Sequence, residues 1–397
     1  MIHYHYAQMF LLGQKRRKTF GLKYVVIQTH RMIKRVSVLG CGSWGTAIVK
    51  VVADNVVSSD EFYSKVYWYV RDEEHDEQSL TTWINKDHTN PIYLPKLKLP
   101  TNIIASSDIR KVVESADIIM VAYPPCYIIW LVNHVKELIK ENAYFVSFCK
   151  GLILCPGENR IRLVSDLIRE QTGKRCLVVI GATTALELVR EQFTEATIGS
   201  KSLECGHEVK RLLQTDYMKL VITQDDVGVE LCGSLKNVVA IAAGICDGLK
   251  LGDNTKAAVI RIGFWEVSEL MNELFPDRGT NYLTTEQSCG IAELFMCMSH
   301  KLDDISDIGD LDLLNISIGR RLSNNDTNRP SIRSITDKIP YRTFVDGAEY
   351  AKQIYCILAD RRRTGHFPLF VAVHRICQSE IKPQELITCL QSHPIHA

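Results

Sequence analysis

Two lysines stand where a positive charge needs a reason. In the stretch VELCGSLKNVVAIAAGICDGL, Lys236 is the one lysine among apolar and small residues. An ammonium in such surroundings is costly unless something charged meets it. At helical spacing, Gly233, Lys236, Asn237, Ala240 and Gly244 fall on one face. A face of small residues lets a second backbone or a ligand come close. A lysine held out of water is suited to exchanging a proton near neutral pH. The competing reading is a packing helix whose lysine reaches out to solvent, and local physics leaves both open. In FCKGL the second lysine, Lys150, follows a strand-like run. The carboxyl ends of strands in an open α/β sheet line the ligand crevice. Two cations converging there would select an anionic or carbonyl substrate; a solvated strand-end lysine is the alternative.

A third feature points to the partner of that substrate. VLGCGSWGTA sets Gly40, Gly42 and Gly45 in the G-x-G-x-x-G spacing, with a β-rich run before it and helical periodicity after it. That context turns a weak motif into a dinucleotide-binding expectation. Gly40 permits the tight turn, Gly42 lets the backbone approach a pyrophosphate, and Gly45 lets helix and strand pack closely. The helix N-terminus then presents free N–H groups to the phosphates. Cys41, Ser43 and Trp44 complete the loop. At the end of the next strand an acid would bind a ribose hydroxyl, and an arginine would accept a 2′-phosphate. The chain offers VRDEE, with Arg71 beside Asp72, so residue type alone leaves NAD and NADP both open.

The elements that must carry these residues are legible in outline. Strand-like runs at RVSVLG, SKVYWYVRD, ADIIMVAYP, AYFVSFCKG and RCLVVIGA alternate with helical stretches, which predicts a parallel sheet with right-handed crossovers. After about residue 222 the β-rich runs cease, and long apolar helices follow. The expected organisation is a basic, disordered extension over 1–34, a Rossmann domain over 35–222 and a helical substrate domain over 223–397. In LGDNTKAAVIR, Asp253 or Asn254 is expected to cap the next helix, with Lys256 a surface or interface charge.

Composition narrows the remaining classes. The formal net charge is +1, so no large field recruits nucleic acid or a membrane surface. Thirteen cysteines lie scattered without a CxxC pair or a Cys/His ladder, which indicates no zinc site and fits a reducing, cytoplasmic compartment. No apolar run is read as long enough to span a bilayer. The first 35 residues hold eight Lys or Arg and no acid. A mitochondrial presequence would share that trait, but the amphipathic pattern of one is weak here.

Taken in order, VLGCGSWGTAI, CKGL, FTEATIGS, VELCGSLKNVVAIAAGICDGL, GDNTKAAVIRIG and FPLFVAV…CLQSHP resemble the NAD-dependent glycerol-3-phosphate dehydrogenases of the cytosolic eukaryotic type. The likeness runs over about residues 35–397, and GDNTKAAVIR separates it from the β-hydroxyacid dehydrogenases. It implies a Rossmann domain followed by an all-α substrate and dimerisation domain of the 6-phosphogluconate dehydrogenase type. It further implies a cytoplasmic homodimer that uses NAD and interconverts dihydroxyacetone phosphate, a phosphorylated triose, with sn-glycerol 3-phosphate. By the resemblance, Lys236 is the catalytic proton donor, Lys150 a second lysine touching substrate and cofactor, and Asn237 a substrate contact. Cofactor contacts fall on Gly40 to Gly45, Arg71, Tyr127 and Ala185. Arg71 stands where the family often lays an aromatic ring against the adenine. The family's CGVADL-like segment becomes SCGIAELFMCMSH, with Glu293 in the place of a catalytic aspartate and Cys297 in that of a threonine. The family's Arg-Asn pair that clamps the substrate phosphate is missing at its usual distance. A second partial match, IGDLDLLNISIGRRL, offers Asp310 with Arg320 or Arg321 instead, and TFVDG replaces a loop that closes over the cofactor. A chain that keeps the dinucleotide fold but has lost turnover is the alternative.

Overall fold

The computed structural model describes residues 33–154, 160–299, 314–323, 332, 335 and 346–396. Residues 1–32 of the basic extension, Asp310 and the first three residues of TFVDG lie outside them.

The first half is built on one eight-stranded sheet. Its strands are β1 Val36–Leu39, β2 Val66–Tyr69, β3 Ile103–Ser106, β4 Ile118–Val121, β5 Tyr144–Ser147, β6 Cys176–Ile180, β7 Thr194–Gly199 and β8 Met218–Thr223. They lie in the order β8-β7-β6-β5-β4-β1-β2-β3. Strands β1, β4 and β5 are buried at every residue, as expected of parallel strands covered on both faces. Helices α1 (Ser43–Val57) and, later in the chain, Leu203–Leu213 cover one face, while Ile128–Val135 and Val164–Thr172 cover the other. The sequence pattern predicts parallel pairing throughout, and one pair departs from it: β6 and β7 are antiparallel. The connection, residues 181–193, holds only the short helix Ala185–Val189, and it turns the chain back alongside β6 rather than carrying it over the sheet.

Beyond β8 the described chain is helical. Numbering these helices after α1, α2 is Asp226–Gly248, α3 Asp253–Leu274, α4 Glu293–Ser299, α5 Leu314–Leu322, α6 Asp346–Asp360 and α7 Pro368–Cys377. Helix α3 starts at Asp253 with Gly252 as its N-cap, one residue earlier than the expected Asp or Asn cap, and Lys256 pairs with Asp247 at 2.8 Å. Helix α2 is the axis of the molecule. Asp225 caps it by accepting a hydrogen bond from the Gly228 N–H at 2.8 Å. By length and composition α2 is able to cross a membrane, contrary to the expectation from the sequence, yet its apolar window is entirely buried. A helix apolar all round belongs in a core. Where α5 crosses it, a Cβ on Gly244 would strike the Ile316 carbonyl and one on Gly319 the Ile241 carbonyl. Glycine at both positions is what allows the two backbones to meet.

Candidate active site

The glycine loop takes the shape a diphosphate needs. Gly40 has φ +114°, open to glycine, and a Cβ there would meet the Ala122 carbonyl. A Cβ on Gly45 would collide with the Gly40 carbonyl, so β1 and α1 approach as closely as backbone allows. Gly42 differs: a Cβ there would have nothing within 4 Å. It is the N-cap of α1, and no side chain caps the helix from that position. Open space, a bare helix N-terminus and tight glycines on either side fit a dinucleotide pyrophosphate. Trp44 packs edge-on to Phe148 with ring centroids 6.2 Å apart, which fixes the first turn of α1 to the strand-end segment leading to Lys150.

The remaining cofactor candidates stand at neighbouring strand ends. Arg71 lies two residues beyond β2, its side chain about half exposed. Tyr127 ends the 3-10 turn Pro125–Tyr127 after β4 and is exposed. Ala185 opens the short helix after β6, capped by Thr184.

Lys150 follows β5, and its ammonium lies 2.7 Å from Oε1 of Glu293. The same oxygen contacts the ammonium of Lys236 from α2. Lys236 and Glu293 are 2% and 0% exposed, whereas Lys150 keeps 19% of its side chain in reach of water. One carboxylate thus holds two ammoniums, one sealed and one at the edge. Glu293 owes its place to the π-helical turn Ser288–Ala292, a form that recurs at functional sites. That turn is pinned to the sheet: Ser288 Oγ donates to the Glu195 carbonyl at 2.6 Å, and the Cys289 N–H donates to Thr197 Oγ1 at 3.3 Å. On the far side, Tyr350 of α6 accepts a hydrogen bond from the Leu152 N–H at 3.1 Å and so anchors the strand end that carries Lys150.

Two buried acceptors in this region have no hydrogen-bond partner among the described residues: Oε2 of Glu293 and Oδ1 of Asn237. Buried acceptors are normally satisfied, so both are available to a bound hydroxyl, amide or water. Asn315, at the start of α5, stands beside Asn237. Its Oδ1 accepts from the Gly347 N–H at 3.1 Å, and Gly347 lies against the Asn237 backbone. Sequence reasoning passed over Asn315 and Gly347. The signal was present in LLNISIG, where an asparagine sits among residues that pack.

Of the two arginines expected on the substrate phosphate, Arg320 is engaged away from this group. Helix α5 runs beside α2 in the same direction, and its last turn lies against Gly248. There Arg320 binds Asp247 through Nε at 3.1 Å and Nη2 at 3.0 Å. Asp247 is three turns past Lys236, roughly 16 Å along the helix, and Arg321 shares that turn. Cys297, in the threonine's expected place, is fully buried.

A second buried acid lies on the same helix, upstream of Lys236. Glu230 is 0% exposed and accepts from the Ser165 N–H at 3.2 Å. Burial pushes its carboxyl up from 4.5 to about 7, against opposing pulls from Ser165 and Arg169, with Asp166 adding to the rise. The folded-state value lies above the unfolded one, so the stability associated with the bound proton is complete below about pH 4.5 and is lost as the pH rises to about 7. The loss expected is on the order of 3 kcal/mol. Glu230→Gln keeps the acceptor for Ser165 and removes the titration. In urea unfolding at pH 5 and pH 7.5, the variant is expected to gain on the wild type by about 2 kcal/mol between the two, since part of the loss has already occurred by pH 5.

A glycine loop before a bare helix end, joined to a lysine–carboxylate–lysine cluster at the strand ends, defines a nicotinamide-dependent dehydrogenase of the two-domain kind. Comparison with known proteins makes the class specific. Residues 35–206 match the family described as NAD-dependent glycerol-3-phosphate dehydrogenase N-terminus, and residues 225–388 the corresponding C-terminus. The chain is 35% identical over 364 residues to a human protein named glycerol-3-phosphate dehydrogenase [NAD(+)], cytoplasmic, covering 91% of this chain and 99% of that one. It is also 35% identical over 363 residues to the glycerol-3-phosphate dehydrogenase 1-like protein of Xenopus tropicalis, covering 91% of this chain and 98% of that one. The solved structure of the yeast (Saccharomyces cerevisiae) glycerol-3-phosphate dehydrogenase is similar at a TM-score of 0.81 with 27% identity, covering 91% of this chain and 100% of that one. The chain belongs to the NAD-dependent glycerol-3-phosphate dehydrogenase family, with a Rossmann-like domain, a helical domain and NAD as its cofactor.

Proposed function

We propose that the protein interconverts dihydroxyacetone phosphate and sn-glycerol 3-phosphate as a cytoplasmic homodimer, with Lys236 moving the proton. The observation that carries this reading is the convergence of Lys236 and Lys150 on the single buried oxygen Oε1 of Glu293. NAD(H), bound on the Gly40–Gly45 loop with Arg71, Tyr127 and Ala185 around it, would supply or remove the hydride at the carbinol carbon. Lys236 polarises the ketone oxygen and hands it a proton; in the reverse direction it takes the hydroxyl proton. Glu293 keeps both ammoniums aimed at the same point. Lys150, at the edge of solvent, adds positive field and is placed to exchange protons with water. Asn237, with its free acceptor, orients a substrate hydroxyl.

A second reading, a dinucleotide-binding member of the family that does not turn over, draws on the engagement of Arg320 with Asp247, away from the lysines. A bidentate phosphate contact is a strong, charge-assisted interaction, and its loss would slow a reaction without unfolding the protein. The two readings separate in one assay. On the first, purified protein oxidises NADH when dihydroxyacetone phosphate is added. A folded protein that binds NADH yet leaves the ketone untouched at millimolar concentration would establish the second.

A further inference from the structure

The adenosine end of the cofactor cleft carries a charge pair whose partners the sequence pattern did not reveal. Arg71 contacts Oε1 of Glu73 through Nη2 and approaches the Tyr93 hydroxyl at 3.4 Å. That hydroxyl in turn lies 3.4 Å from Oε2 of Glu73. Tyr93 is tied to the glycine loop through its backbone. Tyr93 donates its N–H to Asn90 Oδ1 at 3.3 Å. Asn90, 0% exposed, donates its amide to the Cys41 carbonyl at 3.1 Å and to Thr46 Oγ1 at 2.9 Å. From the other side, the Trp68 indole donates to the Gly40 carbonyl at 2.7 Å, tying β2 to the same loop. The Gly40 N–H also donates to the carbonyl of Tyr69 at 3.4 Å, two residues before Arg71. The pair therefore stands at the rim where a ribose attached to that pyrophosphate must lie.

An arginine at the end of β2 ordinarily welcomes a 2′-phosphate, whereas an acid accepts the ribose hydroxyls. Here the two are joined. With Asp72 exposed next to them, the local charge of residues 71–73 is −1. A phosphomonoester, close to doubly negative at pH 7, would have to break Arg71 away from Glu73 and settle beside two carboxylates. We propose that Glu73 determines the cofactor preference of this protein, holding Arg71 so that its guanidinium is withheld from a 2′-phosphate. The inference rests on the glycine loop as the nucleotide site and not on turnover of any ketone.

The test is equilibrium binding to the full-length protein. NADH and NADPH are titrated separately, followed by quenching of tryptophan fluorescence, against wild type, Glu73→Gln, Arg71→Ala and the double variant. Wild type is expected to bind NADH at least about tenfold more tightly than NADPH. Glu73→Gln is expected to tighten NADPH about tenfold while changing NADH less than threefold, and adding Arg71→Ala should erase that gain. An unchanged NADPH to NADH ratio in Glu73→Gln overturns the proposal, as does a gain that survives loss of Arg71. A wild type that binds neither nucleotide overturns it together with the nucleotide site. Because no arm reads ketone reduction, a protein inert towards dihydroxyacetone phosphate leaves each of these outcomes readable.

Discussion

Lys236→Met is expected to lower kcat for dihydroxyacetone phosphate reduction by about 10³-fold, the scale of removing a positioned proton donor, while NADH binding changes less than threefold. Methionine fills the space of the lysine stem without its charge. Glu293 is not orphaned by the change, because Lys150 stays 2.7 Å from the same oxygen. That retained partner is what separates this substitution from the usual damage of breaking a buried ion pair, in which one charge is left uncompensated. Single-turnover mixing of enzyme-bound NADH with the ketone checks the rate, and a thermal melt within a few degrees of wild type checks the fold. A variant that keeps wild-type turnover would move the proton-transfer role to another group.

Gly42→Val should have the opposite signature, with loss of nucleotide binding and no loss of fold. The backbone at Gly42 has φ −64° and ψ 179°, a conformation valine adopts without strain. Its side chain would enter the open space above the bare end of α1, where the proposed nucleotide site puts the pyrophosphate. NADH affinity is expected to fall at least about 100-fold, read by fluorescence titration, because the phosphates lose contact with the helix N-terminus. The neighbouring glycines provide the contrast. A side chain at Gly40 or Gly45 collides with backbone, so substitution there weakens the fold itself and its effect on binding is not interpretable alone.

What was legible in the sequence follows from how local each feature is. The nucleotide loop needs only a strand, a turn and a helix in succession, all written within residues 36–57. Lys236 declared itself by contrast with its neighbours on one helix. Glu293 entered through family resemblance alone, since nothing near it in sequence says that a π-turn will swing it towards two lysines. The engagement of Arg320 with Asp247 was hidden for a related reason. IGRRL repeats the look of a phosphate-binding segment, but where its side chains point depends on the direction and register of α5 against α2, which the Gly244–Gly319 approach sets. The same crossing puts Asn315 and Gly347 beside Asn237. The antiparallel turn of β7 was hidden because a short connection and a crossover begin with the same residues. Glu73 and Tyr93 were invisible as partners of Arg71, because a loop whose course no periodicity describes brings them together.

Helix α2 has a thermodynamic consequence for the whole molecule. Its apolar side chains belong to a cluster that takes in Val178 and Ile180 of the sheet together with Phe370 and Ile354 of the helical half. Neither half, cut free, would keep that surface dry. Heating should therefore give a single cooperative endotherm rather than two, and a lesion in either half should depress the melting of both. Nicotinamide grip and proton delivery would then fail at one temperature, with no partially working intermediate between the intact enzyme and the unfolded chain.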